Sequence, residues 1–350
     1  LGSGPRIAID AMGGDLGPPA VVAGASRALK RRDDLNFIFF GDEALIAPEL
    51  AHFPELQPVS RIVACSDMIK GDEKPTQAIR RAKTTSMGRA IAAVKAKEAD
   101  ALVSGGNTGA LMAMSKLALR TLPGIDRPAL AGLMPTLGDN DTVMLDLGAN
   151  TESNTANLIQ FALMGAAYAR VVLELEKPRV RLLNIGSEEQ KGTDELKDAS
   201  AVLRAAAETL GLRFDGYIEG HQMSRGDVDV IVSDGFSGNI ALKTMEGTAR
   251  YIGDLIRRAF ANSIRSKIGF AISRPATQLL RHHLDPNNHN GGVFLGLNGL
   301  VVKSHGGAND IGIANAIQVA ERMARQDLTR RITDDLAQVS ADDLGKVAAQ

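Results

Sequence analysis

The chain has 350 residues, of which 44% are hydrophobic and 23% are charged, a composition typical of globular proteins that excludes a disordered or fibrous chain. Forty Lys and Arg residues against 41 Asp and Glu residues give a net charge of -1, which argues against the basic field of nucleic-acid-binding proteins. An aromatic content of 4% without Trp also argues against base stacking, so we expect no nucleic-acid partner.

Cysteine usage and hydropathy indicate the compartment. The single cysteine, Cys65, excludes an intrachain disulfide and a CxxC redox pair, which favours the reducing cytoplasm. No apolar run approaches the roughly 18 residues that span a bilayer. Residues 1–5 lack the charged and apolar regions of a signal peptide, and we interpret them as a remnant of cloning.

One unit recurs five times along the chain: a short apolar run, a loop rich in Gly, Asn, Asp and Ser, and then a helix-like stretch. The runs are 6–9, 101–103, 142–145, 228–232 and 300–302; the loops are 10–19, 104–109, 146–150, 233–239 and 303–310; the helices are 20–30, 110–119, 154–175, 240–256 and 313–323. Further strands are predicted at 37–40 and 179–184, and Cys65 ends a strand-like run.

Short, continuously apolar strands that alternate with helices predict an α/β fold with a mostly parallel sheet covered on both faces. Ligands bind beyond the carboxyl ends of such strands, so we expect all five loops to share one edge of the sheet. No linker divides the chain. We predict a single catalytic domain over 6–332 with a helical excursion around 245–290, followed by a loosely held polar tail over 333–350.

The loop 104–109, with the sequence Ser-Gly-Gly-Asn-Thr-Gly, lies between a predicted strand and a predicted helix. Glycines allow close approach of a ligand, and free amide groups at a helix N-terminus bind anions, so the loop is a candidate phosphate cradle. Neither GxxxxGK[ST] nor GxGxxG is present, so neither standard nucleotide motif is supported. The alternative is that Gly and Asn only close tight turns, which is less plausible for five loops than for one.

The loops also carry carboxylates that allow two interpretations. Asp10, Asp15, Asp146 and Asp234 could ligate Mg²⁺, or each could cap the helix that follows it. We favour capping and predict no metal site.

Histidine and lysine side chains complete the candidates. His305, in a Ser-His-Gly-Gly loop, could act as an acid, a base or a phosphate donor, or could be structural. Lys191 could reach an anion or a developing oxyanion, or could be a solvated surface residue. His282, His283 and His289 lack a fourth ligand and are interpreted as surface residues. No GxSxG elbow is present, and Cys65 is interpreted as a strand residue.

Taken together, the loops resemble one known family, the bacterial phosphate acyltransferases of the PlsX type. The resemblance spans about residues 6–330 and rests on an ordered set of motifs. These are IDAMGGD at 9–15, DEKP at 72–75, SGGNTGALMA at 104–113, LPGIDRPA at 122–129, DLGAN at 146–150, NIG at 184–186, KG at 191–192, DGFSGN at 234–239, GLNG at 296–299 and KSHG at 303–306. Gly106 and Ser237 are small departures from the usual pattern.

The resemblance implies a fold and an activity. The implied fold is a three-layer α/β/α sandwich like that of isocitrate and isopropylmalate dehydrogenases and of phosphotransacetylase. The implied reaction transfers a long-chain acyl group from acyl carrier protein to inorganic phosphate, giving acyl phosphate for phospholipid synthesis. It needs no cofactor, metal or covalent enzyme intermediate, because phosphate is already an anionic nucleophile.

The resemblance also assigns partners and site residues. It implies a homodimer in peripheral contact with the cytoplasmic membrane and with the downstream glycerol-3-phosphate acyltransferase. Lys191 and Asn239 would polarise the carbonyl or hold phosphate, and His305 would protonate the leaving thiolate. The residues expected to bind phosphate or substrate are Asp10, Gly13, Gly14, Asp15, Ser104, Gly105, Gly106, Asn107, Thr108, Gly109, Asp146, Asn150, Asp234 and Gly238.

Two other functions each fit part of this sequence. An NAD-dependent decarboxylating dehydrogenase shares the fold, but the loops supply neither its metal-binding Asp cluster nor its adenine-ribose acid. A non-enzymatic membrane scaffold would not explain the polar loops.

The region after residue 250 combines apolar residues at helical spacing with basic residues on the other faces, which predicts a basic amphipathic helix. It could form a dimer or core face, attach to membrane, or dock the acidic carrier protein. The candidate surface comprises Ile252, Ile256, Arg257, Arg258, Phe260, Ile264, Arg265, Lys267 and Ile268.

Overall fold

A computed structural model describes residues 4–338. The strands are β1 Arg6–Asp10, β2 Asn36–Gly41, β3 Ser60–Ala64, β4 Ala101–Ser104, β5 Ala129–Met134, β6 Thr142–Leu145, β7 Arg179–Asn184, β8 Arg213–Glu219, β9 Val230–Val232, β10 Gly292–Leu295 and β11 Leu300–Lys303. The helices are α1 Gly17–Arg31, α2 Glu43–Ala51, α3 Pro75–Arg80, α4 Ser86–Lys95, α5 Thr108–Leu119, α6 Thr155–Val172, α7 Asp194–Ala206, α8 Gly235–Ala261, α9 Ile264–Ile272, α10 Arg274–Leu284, α11 Asp310–Arg325 and α12 Leu328–Gln338. Short 3₁₀ helices lie at Pro54–Val59 and Gly220–Gln222.

The described strands form one sheet in the order β3-β2-β1-β4-β11-β10-β5-β6-β9-β7-β8. Seven of the ten pairings are parallel, which confirms the predicted mostly parallel α/β fold. The three antiparallel pairings are consecutive and join β11 to β10, β10 to β5 and β5 to β6. Three successive reversals make β6, β9, β7 and β8 run opposite to the first five strands.

This reversal corrects the expectation that all five loops share one edge. The loops after β1, β4 and β11 lie at one edge of the sheet, because those strands are parallel neighbours. The loops after β6 and β9 lie at the opposite edge, because these strands run the other way. The strands β5 and β10, which cause the reversal, were not predicted.

Helices cover both faces of the sheet, as its apolar strands require. One face packs against α1, α2, α6, α7, α11 and α12. On the other face, α3, α4 and α5 cover the first half of the sheet, and the beginning of α8 covers part of the second half. Alternation along β1 shows the arrangement, since Ile7 and Ile9 belong to one core cluster and Ala8 to the other.

The predicted helical excursion is an arm that we define as residues 247–284, comprising the rest of α8 with α9 and α10. The amphipathic region is not one helix, because α8 ends at Ala261 and Ser263 caps the start of α9. The rings of Phe260 and Phe270 pack 5.1 Å apart across this break. The side chains of Ile264 and Ile268 are 77% and 57% exposed, so they do not form a core face within the chain.

The described C-terminal residues are packed, which corrects the predicted start of the tail. Residues 333–338 continue α12, whose Asp335 forms an ion pair of 2.7 Å with Arg170 of α6. Leu336 packs against the main core. The remainder of the predicted tail, 339–350, and residues 1–3 of the predicted cloning remnant lie outside the described residues. Within 4–338, no helix is sufficiently long and apolar to cross a bilayer.

Candidate functional site

Three glycine-rich loops meet beyond the carboxyl ends of β1, β4 and β11. We call this group of loops, residues 10–15, 104–109 and 303–309, the cradle. The amide of Asp15 donates to the carbonyl of Gly306 over 2.8 Å. A Cβ on Gly13 would lie 2.7 Å from the nitrogen of Gly106, and Gly14 has a φ of +96°. The loops therefore touch through backbone atoms that only glycine leaves accessible.

Helix N-termini also converge on the cradle. α5 begins within the second loop, and α1 and α11 begin just after the first and third loops. The side chain of Asn107 caps α5 by accepting from the Ala110 amide over 2.9 Å, and Asn309 caps α11. α1 and α5 lie on opposite faces of the sheet. The cradle is thus the crevice at a topological switch point, where amides at helix N-termini favour an anion.

Asp10 closes the floor of the cradle. It is 2% exposed and its carboxylate accepts hydrogen bonds from the hydroxyls of Ser86, over 2.6 Å, and Ser104, over 2.7 Å. Burial raises the pKa of Asp10, although both hydroxyl bonds oppose the rise. Both carboxylate oxygens are occupied within the chain, so Asp10 acts as a structural anchor. Ser86 was not predicted, because it lies in a separate helix with no motif around it.

Lys303, the first residue of the KSHG motif, adds a cation for which no role was predicted. Its ammonium donates to the carbonyl of Gly105 over 3.3 Å and to that of Ser304. Burial lowers the pKa of Lys303 to about 8, with the charges of Asp10 and Asp15 opposing the shift. The sequence feature that could have identified Lys303 is its position at the end of a buried strand, immediately before a Gly-rich loop.

His305 is part of the cradle loop that follows β11. Burial lowers its pKa, and the neighbouring cations Lys303 and Lys243 add to the effect while Glu246 opposes it. The amide of Gly307 donates to Nδ1 over 3.1 Å, which places the proton of the neutral ring on Nε2. His305 is therefore suited to donating a hydrogen bond from Nε2 rather than to acting as a strong acid.

The remaining predicted site residues lie in a second group of loops, at the opposite edge. Asp146 accepts from the backbone amides of Leu130, Gly148, Ala149 and Asn150 and from the Asn150 side chain. Burial raises the pKa of Asp146, and these donors oppose the rise. Asp146 therefore supports the turn that precedes α6.

Asp234 and Asn239, also in the second group of loops, likewise form hydrogen bonds within the chain. Asp234 caps α8 through the Ser237 amide. The Asn239 side chain donates to the carbonyl of Leu147 over 2.9 Å. A Cβ on Gly238 would lie within 2 Å of the carbonyl oxygen of Asp146, so this glycine permits α8 to cross the loop. Lys191 is exposed in the loop after β7, on the same edge.

Helix α8 connects the two groups of loops. It begins at Gly235 in the second group, and Glu246, Lys243 and Arg250 act electrostatically on His305 in the cradle. Glu246 follows Gly235 by eleven positions along the helix, a rise of about 17 Å. No described hydrogen bond links Lys191 or Asn239 to the cradle, so the structure does not bring all predicted catalytic residues together.

The other histidines form no metal site that the structure describes. Nδ1 of His289 lies 2.9 Å from the carboxylate of Asp141, and its ring packs edge-on against His283 at 6.4 Å. The side chain of His282 is outside the described set. Within residues 4–338, no group of three or more His, Cys, Asp or Glu residues could hold a metal ion. Cys65 is buried.

The sequence matches known proteins over nearly its whole length. A family model described as fatty acid synthesis protein matches residues 5–331. A phosphate acyltransferase of Erythrobacter litoralis is 63% identical over 335 residues, which cover 96% of this chain and 94% of the relative. A phosphate acyltransferase of Rhodospirillum rubrum is 50% identical over 333 residues, covering 95% of each chain.

Solved structures agree on the fold. A phosphotransacetylase from Streptococcus pyogenes superposes with a TM-score of 0.61 at 20% identity, covering 93% of this chain and 95% of that one. The EutD phosphotransacetylase from Staphylococcus aureus gives a TM-score of 0.55 at 18% identity, covering 92% and 95%. At these identities the likeness concerns the fold alone.

Proposed function

Because the chain belongs to the fatty acid synthesis protein family and is an acyltransferase, we propose that it transfers a long-chain acyl group from acyl carrier protein to inorganic phosphate. The products are acyl phosphate, which serves phospholipid synthesis, and the free thiol of the carrier. The curated relatives named phosphate acyltransferases support phosphate as the acceptor. The dehydrogenase and scaffold alternatives are excluded by the same relationship.

The observation that carries the proposal is the convergence of three glycine loops, three helix N-termini and the Lys303 ammonium in one crevice. Backbone amides and a cation at short range match the charge of a phosphate ion. We assign phosphate to the cradle rather than to the second group of loops, where the carboxylates are already saturated by the chain's own amides.

Catalysis at this site requires mainly positioning. A phosphate oxygen forms a bond to the thioester carbonyl carbon, and the carbonyl electron pair moves onto oxygen in a tetrahedral intermediate. The carbon–sulfur bond then breaks, and the proton of hydrogenphosphate balances the departing thiolate. A phosphate held by fixed amide groups loses little further entropy on reaction, and donors around it stabilise the developing oxyanion.

We assign distinct roles to the two side chains of the cradle. Lys303 holds the phosphate by charge, because its ammonium reaches the Gly105 carbonyl at the centre of the loops. His305 in its neutral form donates from Nε2 to a phosphate oxygen or to the departing sulfur, which replaces the predicted role of a full proton donor. Asp10 holds β1 and β4 together through Ser104.

Lys191 and Asn239 lie in the second group of loops, so with phosphate in the cradle we propose that they contact the acyl donor away from its reacting carbonyl, in place of their predicted role at that carbonyl. Asn239 lies in the first turns of α8, and the same helix passes His305 further along. An acyl thioester lying along α8 would contact both groups of loops. Lys191→Ala or Asn239→Ala with unchanged kcat/KM would remove the corresponding assignment.

The arm supports a peripheral contact with membrane or with a second copy of the chain. Its exposed apolar side chains, which include Ile252, Ile264 and Ile268, stand beside Arg257, Arg258, Arg265 and Lys267. Exposed apolar area with flanking cations suits an anionic bilayer surface, and apolar area alone suits a homodimer. We propose that the arm provides the membrane contact and leave the dimer as the alternative outcome of its test.

The reaction is tested by mixing the protein with palmitoyl-acyl carrier protein and inorganic phosphate in EDTA. Free thiol is counted, and acyl phosphate is detected by mass spectrometry. Thiol release that depends on phosphate and yields acyl phosphate supports the proposal and shows that no divalent metal is needed. Thiol release that is independent of phosphate would identify a thioesterase instead.

A further inference from the structure

We propose that the surface around α3 docks the acidic carrier protein and directs the carrier's thioester-bearing chain toward the cradle. We call this surface the α3 patch and define it by Lys70, Lys74, Arg80 and Lys83. The inference rests on the proposed function, since it names the surface that receives the acyl donor of that reaction.

The α3 patch presents four cations without partners in the chain. Each of the four residues is exposed. No hydrogen bond or ion pair of their side chains occurs among the described residues. Exposed, unpaired cations remain free to steer and pair with an acidic partner.

The carboxylates next to the patch are largely neutralised. Arg81 donates from Nε to Asp67 over 2.8 Å and from Nη1 to Glu73 over 2.8 Å. The guanidinium holds the pKa of Asp67 below its usual value. Asp72 is the remaining exposed carboxylate among residues 67–83. The patch therefore keeps a positive balance although the whole chain is close to neutral.

The patch adjoins the cradle through direct contacts. The side chain of Asn107, which caps α5 in the cradle, donates to the carbonyls of Gly71 over 2.8 Å and Glu73 over 3.1 Å. Pro75 lies 3.2 Å from the position of a Cβ on Gly109. A cleft of about 570 Å³ opens here, lined by Lys70, Asp72, Glu73, Gln77, Arg80 and Arg81. Because Glu73 lines the cleft and also contacts Asn107 of the cradle, we expect the thioester-bearing chain of the carrier to cross this cleft.

Two comparisons favour a protein partner at this patch. Among the large hydrophobic side chains of residues 67–83, the exposed one is that of Met68, at 40%. The patch therefore lacks the apolar area that a bilayer contact requires. The arm carries cations too, but Arg257 and the cations after it follow Glu246 by eleven residues or more, which is about 17 Å or more along the axis of α8 for those on that helix. The segment that carries the α3 patch contacts the cradle directly, through Gly71, Glu73 and Pro75.

The test is a direct binding measurement that does not depend on turnover. The Kd of palmitoyl-acyl carrier protein is measured for the wild-type chain and for Lys74→Glu/Arg80→Glu, at 50 mM and 300 mM KCl. We expect the variant to bind about tenfold more weakly at low salt, because each rim charge contributes modestly and adds to the other. The difference should shrink at high salt, where the charges are screened.

A matched control carries the same charge change near the C-termini of α4 and α5, away from the α3 patch. Lys95→Glu/Lys116→Glu reverses two exposed cations near the C-termini of α4 and α5, and we expect its Kd to equal that of the wild type. The KM for phosphate should be the same in all three proteins, since neither pair contacts the cradle through its side chains.

Equal carrier binding by wild type and the α3 variant would overturn the inference. The same holds if Arg257→Glu/Arg265→Glu on the arm weakens binding while the α3 variant does not. Absence of carrier binding by the wild type would also overturn it. The phosphate-dependence of thiol release fails or succeeds separately, so a wrong reaction and a wrong docking surface give different results.

Discussion

The hydroxyl of Ser104 donates to the carboxylate of Asp10 over 2.7 Å, and this bond ties the end of β4 to the end of β1 beneath the cradle. Asp10 is buried, and Ser86 donates to its other oxygen. The geometry of the proposed phosphate site therefore depends on a carboxylate whose two oxygens are both engaged by hydroxyls of the chain.

Replacing Asp10 tests this anchor. Asp10→Ala leaves two buried hydroxyls without their acceptor, so we expect the free energy of unfolding to fall by about 2–4 kcal/mol. Asp10→Asn keeps the shape and one acceptor oxygen, and should cost clearly less. Urea denaturation of the three proteins measures the difference. Equal losses for both variants would show that the hydroxyl bonds are not what the carboxylate contributes.

The pKa of about 8 for Lys303 predicts a pH dependence. Below about pH 8 the ammonium is charged and, in the proposed site, available to bind phosphate, whereas above about pH 8 the charge is lost. We expect the KM for phosphate to rise by about tenfold per pH unit above 8. The groups that face Lys303 are Asp10, Asp15, His305 and Lys243.

Lys303→Arg provides the decisive comparison, because a guanidinium stays charged throughout this range. Its KM for phosphate should be independent of pH from 7.5 to 9.5, whether or not its absolute value differs from that of the wild type. Lys303→Met should raise the KM at every pH. An alkaline rise that persists in Lys303→Arg would assign the titration to another group.

Because backbone atoms approach closely in the cradle, any side chain at Gly13 should disturb it. A Cβ there would lie 2.7 Å from the Gly106 nitrogen and from an oxygen of Asp10, so Gly13→Ala must displace a loop. We expect kcat/KM to fall by about 100-fold, as displacements of about 1 Å commonly cause. Gly220→Ala is the control, since nothing lies within 4 Å of its Cβ position. Normal activity in Gly13→Ala would place the phosphate elsewhere.

The arm is tested by its exposed isoleucines. Ile264→Asp/Ile268→Asp removes apolar area and adds charge at two exposed sites, so we expect loss of binding to anionic vesicles without loss of folding. Asn262→Asp/Gln278→Glu adds the same charge at exposed polar positions and should weaken vesicle binding only slightly. Loss of a dimer on size-exclusion chromatography, with vesicle binding retained, would assign the arm to subunit contact.

Tyr168 offers a test of the core. Its side chain is fully buried, and its hydroxyl has no hydrogen-bond partner among the described residues. Removing an unsatisfied buried hydroxyl should stabilise the fold, so Tyr168→Phe is expected to raise the free energy of unfolding by about 1 kcal/mol. A decrease measured by urea denaturation would reveal a partner for the hydroxyl, such as a buried water.

Local sequence patterns predicted many of the strands and the loops of the cradle. Apolar runs at 101–103 and 300–302 lie in the strands β4 Ala101–Ser104 and β11 Leu300–Lys303, because a strand buried on both faces must be continuously apolar. Glycines at 13–14 and 105–106 marked the cradle, since close backbone contact tolerates no side chain. Ser86 and the role of Lys303 were missed, because Ser86 meets Asp10 from 76 positions away.

The sequence by itself determined the family, the alternation of strand and helix, and the loops that could hold an anion, since these depend on residue type and local periodicity. The tertiary structure decided which loops meet. An apolar run shows that a strand is buried but not which way it runs, because direction depends on hydrogen bonding with distant strands. In this chain the antiparallel strands β10 and β5 reverse the second half of the sheet. They leave the loops after β1, β4 and β11 together at one edge.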